Sequence, residues 1–312
     1  MFKKNVLLKP YSSYRVGGPA AYFTEIKNED EIKQVLTEAR KNNINSIFIL
    51  GGGTNLLIND RGFNGLVIKI SIDFIRKEEN SVEVGAGTLL ADLVNFCGFN
   101  SLSGFEWAGG LPGTVGGAIR GNSGAFKGEI KDNLIQVKSF DLEKKKIVIR
   151  LKNKCNFGYR QSIFKKLGPR EIILSAKFNL MPGDKKEIHK QIEEKIEYRK
   201  EKHPIEYPSA GSIFKNVPFL SIPENIREEF SKNIKTDPVP VVAAGRILNL
   251  ANLKGEKIGD AMISEKHPNY IVNLGNALSE DVEKLIKFAK NKVKKKFGIE
   301  LEEEITYVGK SF

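Results

Sequence analysis

The chain has 312 residues, 40 % apolar and 28 % charged, a globular composition of about two domains' length that excludes a disordered chain. Two cysteines, Cys97 and Cys155, are too few and too far apart for a disulfide scaffold or a metal site, and both read as small core residues of a reducing compartment. Fifty Lys and Arg against 38 Asp and Glu leave a net charge of +12; the lysines are scattered along helix patterns without interleaved aromatics, which favours solvated faces and small anionic ligands over nucleic acid.

Met1-Phe2-Lys3-Lys4 begins like a secretory leader, but Lys9 follows Val6-Leu7-Leu8 at once, and no run approaches the roughly 18 apolar residues of a membrane span. A cytoplasmic protein without membrane contact is expected. Residues 28–43 predict a helix, with Ile32, Val35, Leu36 and Ala39 on one face and Asn28 with Glu31 as an N-terminal cap. A short strand over 46–50 runs into a glycine loop. Residues 66–70 and 81–87 read as strands, 88–99 as a short helix, and 134–141, 146–151 and 171–180 as further strands. A helix is expected over 184–200, with Asp184 and Glu187 as a capping box and His189 on its polar face; it ends before Pro204. Mixed structure follows to 275. The last helix spans 280–297, with Ser279 as N-cap and Gly298 past its end, before a strand over 303–308.

Gly51-Gly52-Gly53-Thr54-Asn55 allows backbone N–H groups to converge on one concavity, a nest for phosphate. It is neither a Walker loop nor a Rossmann fingerprint, and taken alone a tight surface turn explains it equally well. The second block, Ala108-Gly109-Gly110-Leu111-Pro112-Gly113-Thr114-Val115-Gly116-Gly117-Ala118-Ile119-Arg120-Gly121-Asn122-Ser123-Gly124-Ala125, shifts that balance. Glycine at this density favours close backbone approach to a large, flat, phosphorylated ligand, a dinucleotide held outside a Rossmann fold.

These residues carry a resemblance. Ser13 to Ala20, then Leu50 to Leu57, then Gly109 to Ala118 resemble the FAD domain of the UDP-N-acetylenolpyruvoylglucosamine reductases, the MurB family. Phe157-Gly158-Tyr159-Arg160-Gln161-Ser162 resembles the family's Tyr-Arg-x-Ser segment, and Ser209-Ala210-Gly211-Ser212-Ile213-Phe214-Lys215-Asn216 its serine motif. Ile263 to His267, Ile271 to Asn273 and Leu301 to Ile305 match as well. The glycine loops would suit any flavoprotein of the wider vanillyl-alcohol-oxidase (PCMH) type; the serine motif and the acidic run are more specific. The resemblance implies an α+β fold. An FAD-binding domain of that type forms two α/β subdomains, 1–60 with 303–312 and 61–200, and a smaller α+β substrate domain spans 201–302. It implies non-covalent FAD, with NADPH as reductant. The substrate, UDP-N-acetylglucosamine enolpyruvate, would be reduced to UDP-N-acetylmuramate in cytoplasmic peptidoglycan precursor synthesis, by a monomer. Cofactor contacts then fall on Tyr14, Gly51, Gly52, Gly53, Thr54, Asn55, Leu56, Gly109, Gly110, Pro112, Gly113, Gly116, Gly117, Ile119 and Asn122, and substrate contacts on Tyr159, Lys215 and Asn216.

That reaction delivers hydride to the terminal vinyl carbon while negative charge develops on the neighbouring carbon and its carboxylate. The site needs a cation, a proton donor and a group that polarises the enolate. Through the matched motifs the resemblance assigns these roles to Arg160, Ser212 and Glu304. Each residue alone reads as structural: a lone arginine, a turn serine after Gly211, one of several glutamates. On a strand, Glu302 and Glu304 share one face and Glu303 the other.

Two features depart from the commonest pattern. Only 51 residues separate Arg160 from Ser212, which fits the shorter family type lacking an inserted tyrosine-bearing loop. Arg120 stands where many relatives carry another residue, and it would touch the cofactor or replace a packing residue. The three histidines, His189, His203 and His267, have no metal-ligand spacing, and no metal is expected. His267 lies in a family-like motif, where a pocket role is open. The alternative is another FAD-dependent oxidoreductase of the superfamily, acting on a sugar lactone or hydroxy acid. No histidine precedes position 189, so covalent flavin attachment through histidine in the flavin domain is excluded.

Overall fold

The computed structural model describes residues 2–232, 234–236 and 239–309. The chain divides into two compact units: Met1–Val6, Ala20–Gly53 and Asn64–Arg199 form one, and Leu7–Pro19, Thr54–Phe63 and Lys200–Phe312 the other. This partition differs from the three-part expectation, because Leu7–Pro19 and Thr54–Phe63 belong with the C-terminal residues.

Two larger sheets dominate the first unit. A four-stranded sheet has the order Lys3–Leu7, Pro19–Ile26, Phe63–Ile70, Ile47–Leu50, the last two strands being parallel. The helix Asp30–Lys41 buries Ile32, Val35, Leu36 and Ala39 in the same core as Leu66 and Ile68. Its predicted cap is realised: Asn28 Oδ1 accepts from the Glu31 N–H at 3.2 Å, and Glu31 Oε2 takes the Lys27 N–H at 2.8 Å. The second sheet is antiparallel, in the order Lys146–Leu151, Leu134–Asp141, Glu171–Asn179, Ser81–Gly85, Ile75–Glu78. Helices Leu90–Phe99 and Lys185–Lys202 add Leu93, Val94, Cys97, Ile188 and Ile192 to the core. His189 is half-buried edge-on to Phe99, not on a polar face. Burial pushes the Cys97 thiol up to about 12 and that of Cys155 to about 11, so both stay protonated at neutral pH.

The second unit is built on the strands Lys257–Ile258, Ala261–Ile263 and Ile271–Asn273, with the helix Ser279–Phe297 burying Val282, Leu285, Ile286, Ala289 and Val293. Gly298 ends that helix at φ +65°, as glycine allows. Ser279 is its first helical residue instead of the N-cap: its N–H and Oγ both donate to Asp60 Oδ2, at 2.8 and 2.7 Å. A carboxylate serves this helix start better than a hydroxyl, because it also meets the positive end of the dipole. Thr306–Val308 pairs in parallel with Leu56–Ile58; this strand is shorter than the sequence suggests because Glu303 and Glu304 pair elsewhere.

One buried ionic group stands in the antiparallel sheet. Glu171, 4 % exposed, accepts two bonds from Arg150 at 2.7 and 2.6 Å and one from Ser139 Oγ at 2.5 Å. Glu171→Ala strands the guanidinium and should lower unfolding free energy by about 3 kcal/mol, read by urea denaturation; an unchanged midpoint would contradict this.

Candidate functional site

The two glycine blocks meet in the first unit. A Cβ on Gly51 would lie 2.8 Å from Thr114 Oγ1, and one on Gly52 would lie 2.9 Å from Gly113 Cα and 3.2 Å from the Thr114 N. Backbone therefore packs on backbone. Thr114 caps the helix Val115–Gly121 by accepting from the Gly117 N–H at 3.4 Å. Other glycines of the block also have intramolecular causes. A Cβ on Gly109 would stand 2.6 Å from the Ile192 carbonyl oxygen, and one on Gly116 would stand 2.9 Å from Ala86 Cβ. Gly110 takes φ +70° beside Arg199, whose Nε donates to the Gly109 carbonyl at 2.9 Å.

Gly117 is different. It is exposed, and a Cβ there would meet nothing nearer than Thr114 Oγ1 at 3.5 Å; at Gly121 the nearest atom would be 3.8 Å away. One face of this helix is therefore bare backbone with open space above it. Gly53 and Gly113 take φ +66° and +113°, and Pro112 is exposed. A side chain at Gly117 would fill that space; its absence fits a flat ring system lying against the backbone, as in a flavin cofactor.

Three residues expected at the cofactor are core residues instead. Tyr14 is 0 % exposed, and its hydroxyl donates to the Ile271 carbonyl at 2.6 Å. Ile119 is equally buried. Asn122, also 0 % exposed, sits at φ +45°, donates to the Gly158 carbonyl at 3.0 Å and accepts from the Lys131 N–H at 3.4 Å. With no surface to offer, these side chains hold the scaffold. Thr54, Asn55 and Leu56 are half-buried in the second unit. Asn55 Nδ2 donates to the Glu304 carbonyl at 3.1 Å.

Asn122 braces the turn that carries Arg160. Gly158 and Gln161 exchange both backbone hydrogen bonds, at 3.1 and 3.0 Å, and Arg160 is left at φ +54°. Such strain in a non-glycine residue persists where the surroundings enforce it. Ser162 closes the turn, accepting from the Lys165 N–H and donating to the Arg120 carbonyl at 2.6 Å. Arg160 Nη2 donates to the Gly124 carbonyl at 2.8 Å, and its guanidinium lies 5.1 Å from the Tyr159 ring centroid. Arg120 is half-buried, and burial pulls its pKa down.

The serine motif lies in the second unit, paired with the acidic run. The Glu304 N–H donates to the Ile213 carbonyl at 2.7 Å, the Lys215 N–H to the Glu302 carbonyl at 2.9 Å, and Phe214 bridges Glu303. This register sorts the glutamates. Glu302 takes the Lys215 ammonium, and Glu303 accepts from Lys290 Nζ at 2.7 Å and from Tyr307 Oη at 2.6 Å. Glu304 is half-buried, directly opposite Ile213. Gly211 turns the chain at φ +76°, and Ser212 Oγ makes no hydrogen bond to the described residues. Asn216 Oδ1 accepts from the Ala244 N–H at 3.2 Å, so it helps hold the helix Ala244–Leu250.

Sequence reasoning passed over Asn269. It is 4 % exposed; its carbonyl takes the Ile213 N–H at 2.8 Å, and its side chain exchanges two hydrogen bonds with Phe214, at 3.0 and 2.9 Å. It clamps the residues just after Ser212. Its only sequence signal is its place next to Pro268, within the motif containing His267. His267 Nδ1 accepts from the Asn269 N–H at 3.3 Å, and burial lowers its pKa; it packs edge-on against His203 and Tyr270. The first unit thus collects Gly51–Gly53, Gly109–Asn122, Tyr159 and Arg160, and the second Tyr14, Thr54–Leu56, Ser212, Lys215, Asn216 and Glu304.

Residues 20–148 match the model of an FAD binding domain, which makes the chain a flavin-dependent oxidoreductase of PCMH-type α+β fold. Residues 203–308 match the C-terminal domain of UDP-N-acetylenolpyruvoylglucosamine reductase. The reductase of that name from Caldanaerobacter subterraneus subsp. tengcongensis is 38 % identical over 98 % of this chain and 93 % of its own length; that from Clostridium novyi is 36 % identical over 98 % and 92 %. The crystal structure of UDP-N-acetylenolpyruvylglucosamine reductase (MurB) from Thermus caldophilus superposes with a TM-score of 0.78 at 33 % identity, covering 99 % of this chain and all of that one. The chain belongs to the UDP-N-acetylenolpyruvoylglucosamine reductase (MurB) family.

Tyr14→Phe separates a core role from a cofactor role. It should cost about 1–2 kcal/mol of stability in urea denaturation through the unpaired Ile271 carbonyl, while flavin content stays at the wild-type level. Loss of flavin with unchanged stability would return Tyr14 to the cofactor site.

Proposed function

We propose that this chain reduces UDP-N-acetylglucosamine enolpyruvate to UDP-N-acetylmuramate with NADPH, acting as a cytoplasmic monomer in cell-wall precursor synthesis. One observation carries the reading: the serine motif is paired in register with the acidic run, so that Ser212 adjoins the residue bonded to Glu304. The family membership and the bare glycine face of the flavin domain support it. Bound FAD would supply hydride transfer from NADPH to the enolpyruvyl group, against the open backbone of Gly117 and Gly121 and the Gly51–Gly53 loop.

The protein's own groups do the rest. Arg160 pairs with the substrate carboxylate through its guanidinium fork and stabilises the negative charge growing there. Ser212 donates a proton to the carbon beside that carboxylate. A free hydroxyl is a weak acid, so its placement carries its effect; Gly211 and Asn269 fix that placement. Glu304 polarises the enolate or holds the proton relay; the register that sets it opposite Ile213, next to Ser212, supports this role. Lys215 and Tyr159 contact substrate at the edges, and Asn216 acts through the backbone it holds. The segment 161–211 carries the helix Ile163–Leu167, the strand Glu171–Asn179 and the helix Lys185–Lys202, which supports the shorter family type.

Two experiments test this. In Ser212→Ala and Glu304→Gln, anaerobic bleaching of the flavin band by NADPH should proceed within about twofold of wild type, while its return on adding the enolpyruvyl sugar nucleotide slows about a hundredfold or more; equal slowing of both steps would remove the proposed roles. Gly117→Ala should stabilise the flavin-free protein by up to about 1 kcal/mol through helix propensity and weaken FAD binding about tenfold. Unchanged FAD affinity by fluorescence titration would place the flavin elsewhere.

A further inference from the structure

The helix Val115–Gly121, which carries the open glycine face, ends at Asn122. Asn122 takes φ +45°, a conformation that asparagine tolerates better than most residues, and the Ser123 N–H returns to the Ala118 carbonyl at 2.9 Å. The Asn122 side chain is fully buried, which leaves no surface for a ligand. Its Nδ2 donates to the Gly158 carbonyl at 3.0 Å, and its Oδ1 accepts from the Lys131 N–H at 3.4 Å. A second side-chain bond joins the same two segments. Ser162, also 0 % exposed, donates from Oγ to the Arg120 carbonyl at 2.6 Å, and Arg120 lies in the last turn of that helix.

These two bonds bracket Arg160. Gly158 precedes it and Ser162 follows it, and between them Gly158 and Gln161 close the turn with paired backbone bonds at 3.1 and 3.0 Å. Arg160 sits at φ +54°, a backbone conformation that a long side chain rarely takes unless its surroundings impose it. Lys165 Nζ donates to the Arg160 carbonyl at 3.1 Å, and Arg160 Nη2 donates to the Gly124 carbonyl at 2.8 Å. A guanidinium is a rigid planar fork. With one edge held on Gly124, the backbone that carries it decides where the other edge points.

We propose that Asn122 and Ser162 are positioning residues for Arg160. Together they clasp its turn to the end of the helix with the bare glycine face, so that one element sets both the flavin and the cation that meets the substrate carboxylate. This rests on the roles given above to that glycine face and to Arg160. Asn122→Gly keeps the left-handed backbone and removes the bond to Gly158; Ser162→Ala removes the bond to Arg120. In each variant, FAD content and reduction by NADPH should stay within about twofold of wild type, while single-turnover transfer to the enolpyruvyl sugar nucleotide slows about tenfold. In an Arg160→Lys background, where no fork remains to be aimed, either change should slow transfer by less than about a further twofold. Transfer at the wild-type rate in either variant, equal slowing of both steps, loss of FAD, or a tenfold loss that persists in the Arg160→Lys background overturns the proposal. If one variant fails to fold, the other decides; if neither folds, the two bonds serve the fold and the proposal falls. A wild-type enzyme that never transfers to the sugar nucleotide is the separate result that removes the functional reading, and this proposal with it.

Discussion

The chemistry proposed for the second unit depends on one short stretch of backbone pairing. Ile213–Lys215 lies antiparallel to Glu302–Glu304 through the 2.7 Å bond from the Glu304 N–H and the 2.9 Å bond from the Lys215 N–H. A shift by one residue would exchange which glutamate meets the lysines and which lies opposite Ile213, because side chains alternate along an extended chain. The register is locked from outside the pair. Asn269 holds Ile213 and Phe214 from one side, and Asn55 takes the Glu304 carbonyl from the other. Side-chain amides suit this work, since each carries both donors and an acceptor for backbone groups.

The first unit answers a different demand. Its glycine block serves two purposes that composition alone does not separate. Gly109, Gly110 and Gly116 exist for protein packing, each with backbone or side-chain atoms where a Cβ would stand. Gly117 and Gly121 meet no such obstacle. Packing thus accounts for most of the glycine in this block, and the proposed flavin face would account for the remainder. Strained backbone gathers close by, at Asn122, Phe126, Lys127 and Arg160. Strain of this kind marks segments whose geometry is imposed for a purpose other than folding.

Much of the scaffold was legible in the sequence. The helices at Asp30–Lys41, Lys185–Lys202 and Ser279–Phe297 follow from their apolar spacing, and Asn28 and Asp184 cap as their motifs predict. The helix Val115–Gly121 was not legible, because its glycines oppose helix formation and tertiary contacts with Ala86 and Thr114 override that preference. Ser279 was misread as a cap because the carboxylate that serves the helix start, Asp60, lies 219 residues away in sequence. Tyr14 and Asn122 sit in motifs that resemble cofactor segments, yet both are buried braces. Motif order carried the family; it did not separate residues that touch a ligand from those that hold its neighbours. Asn269 shows the converse, since its clamp on Ile213 and Phe214 arises from long-range contacts and burial that no local pattern encodes.

The central claim is that this chain passes electrons from NADPH to an enolpyruvyl sugar nucleotide. The most direct measurement is the visible spectrum of the purified wild-type protein under anaerobic conditions, first with NADPH and then with UDP-N-acetylglucosamine enolpyruvate. The account predicts that the flavin absorbance bleaches with NADPH and returns on adding the sugar nucleotide, with one UDP-N-acetylmuramate formed for each flavin reoxidised. A flavin that bleaches, stays bleached with the sugar nucleotide and recovers only with oxygen would contradict it.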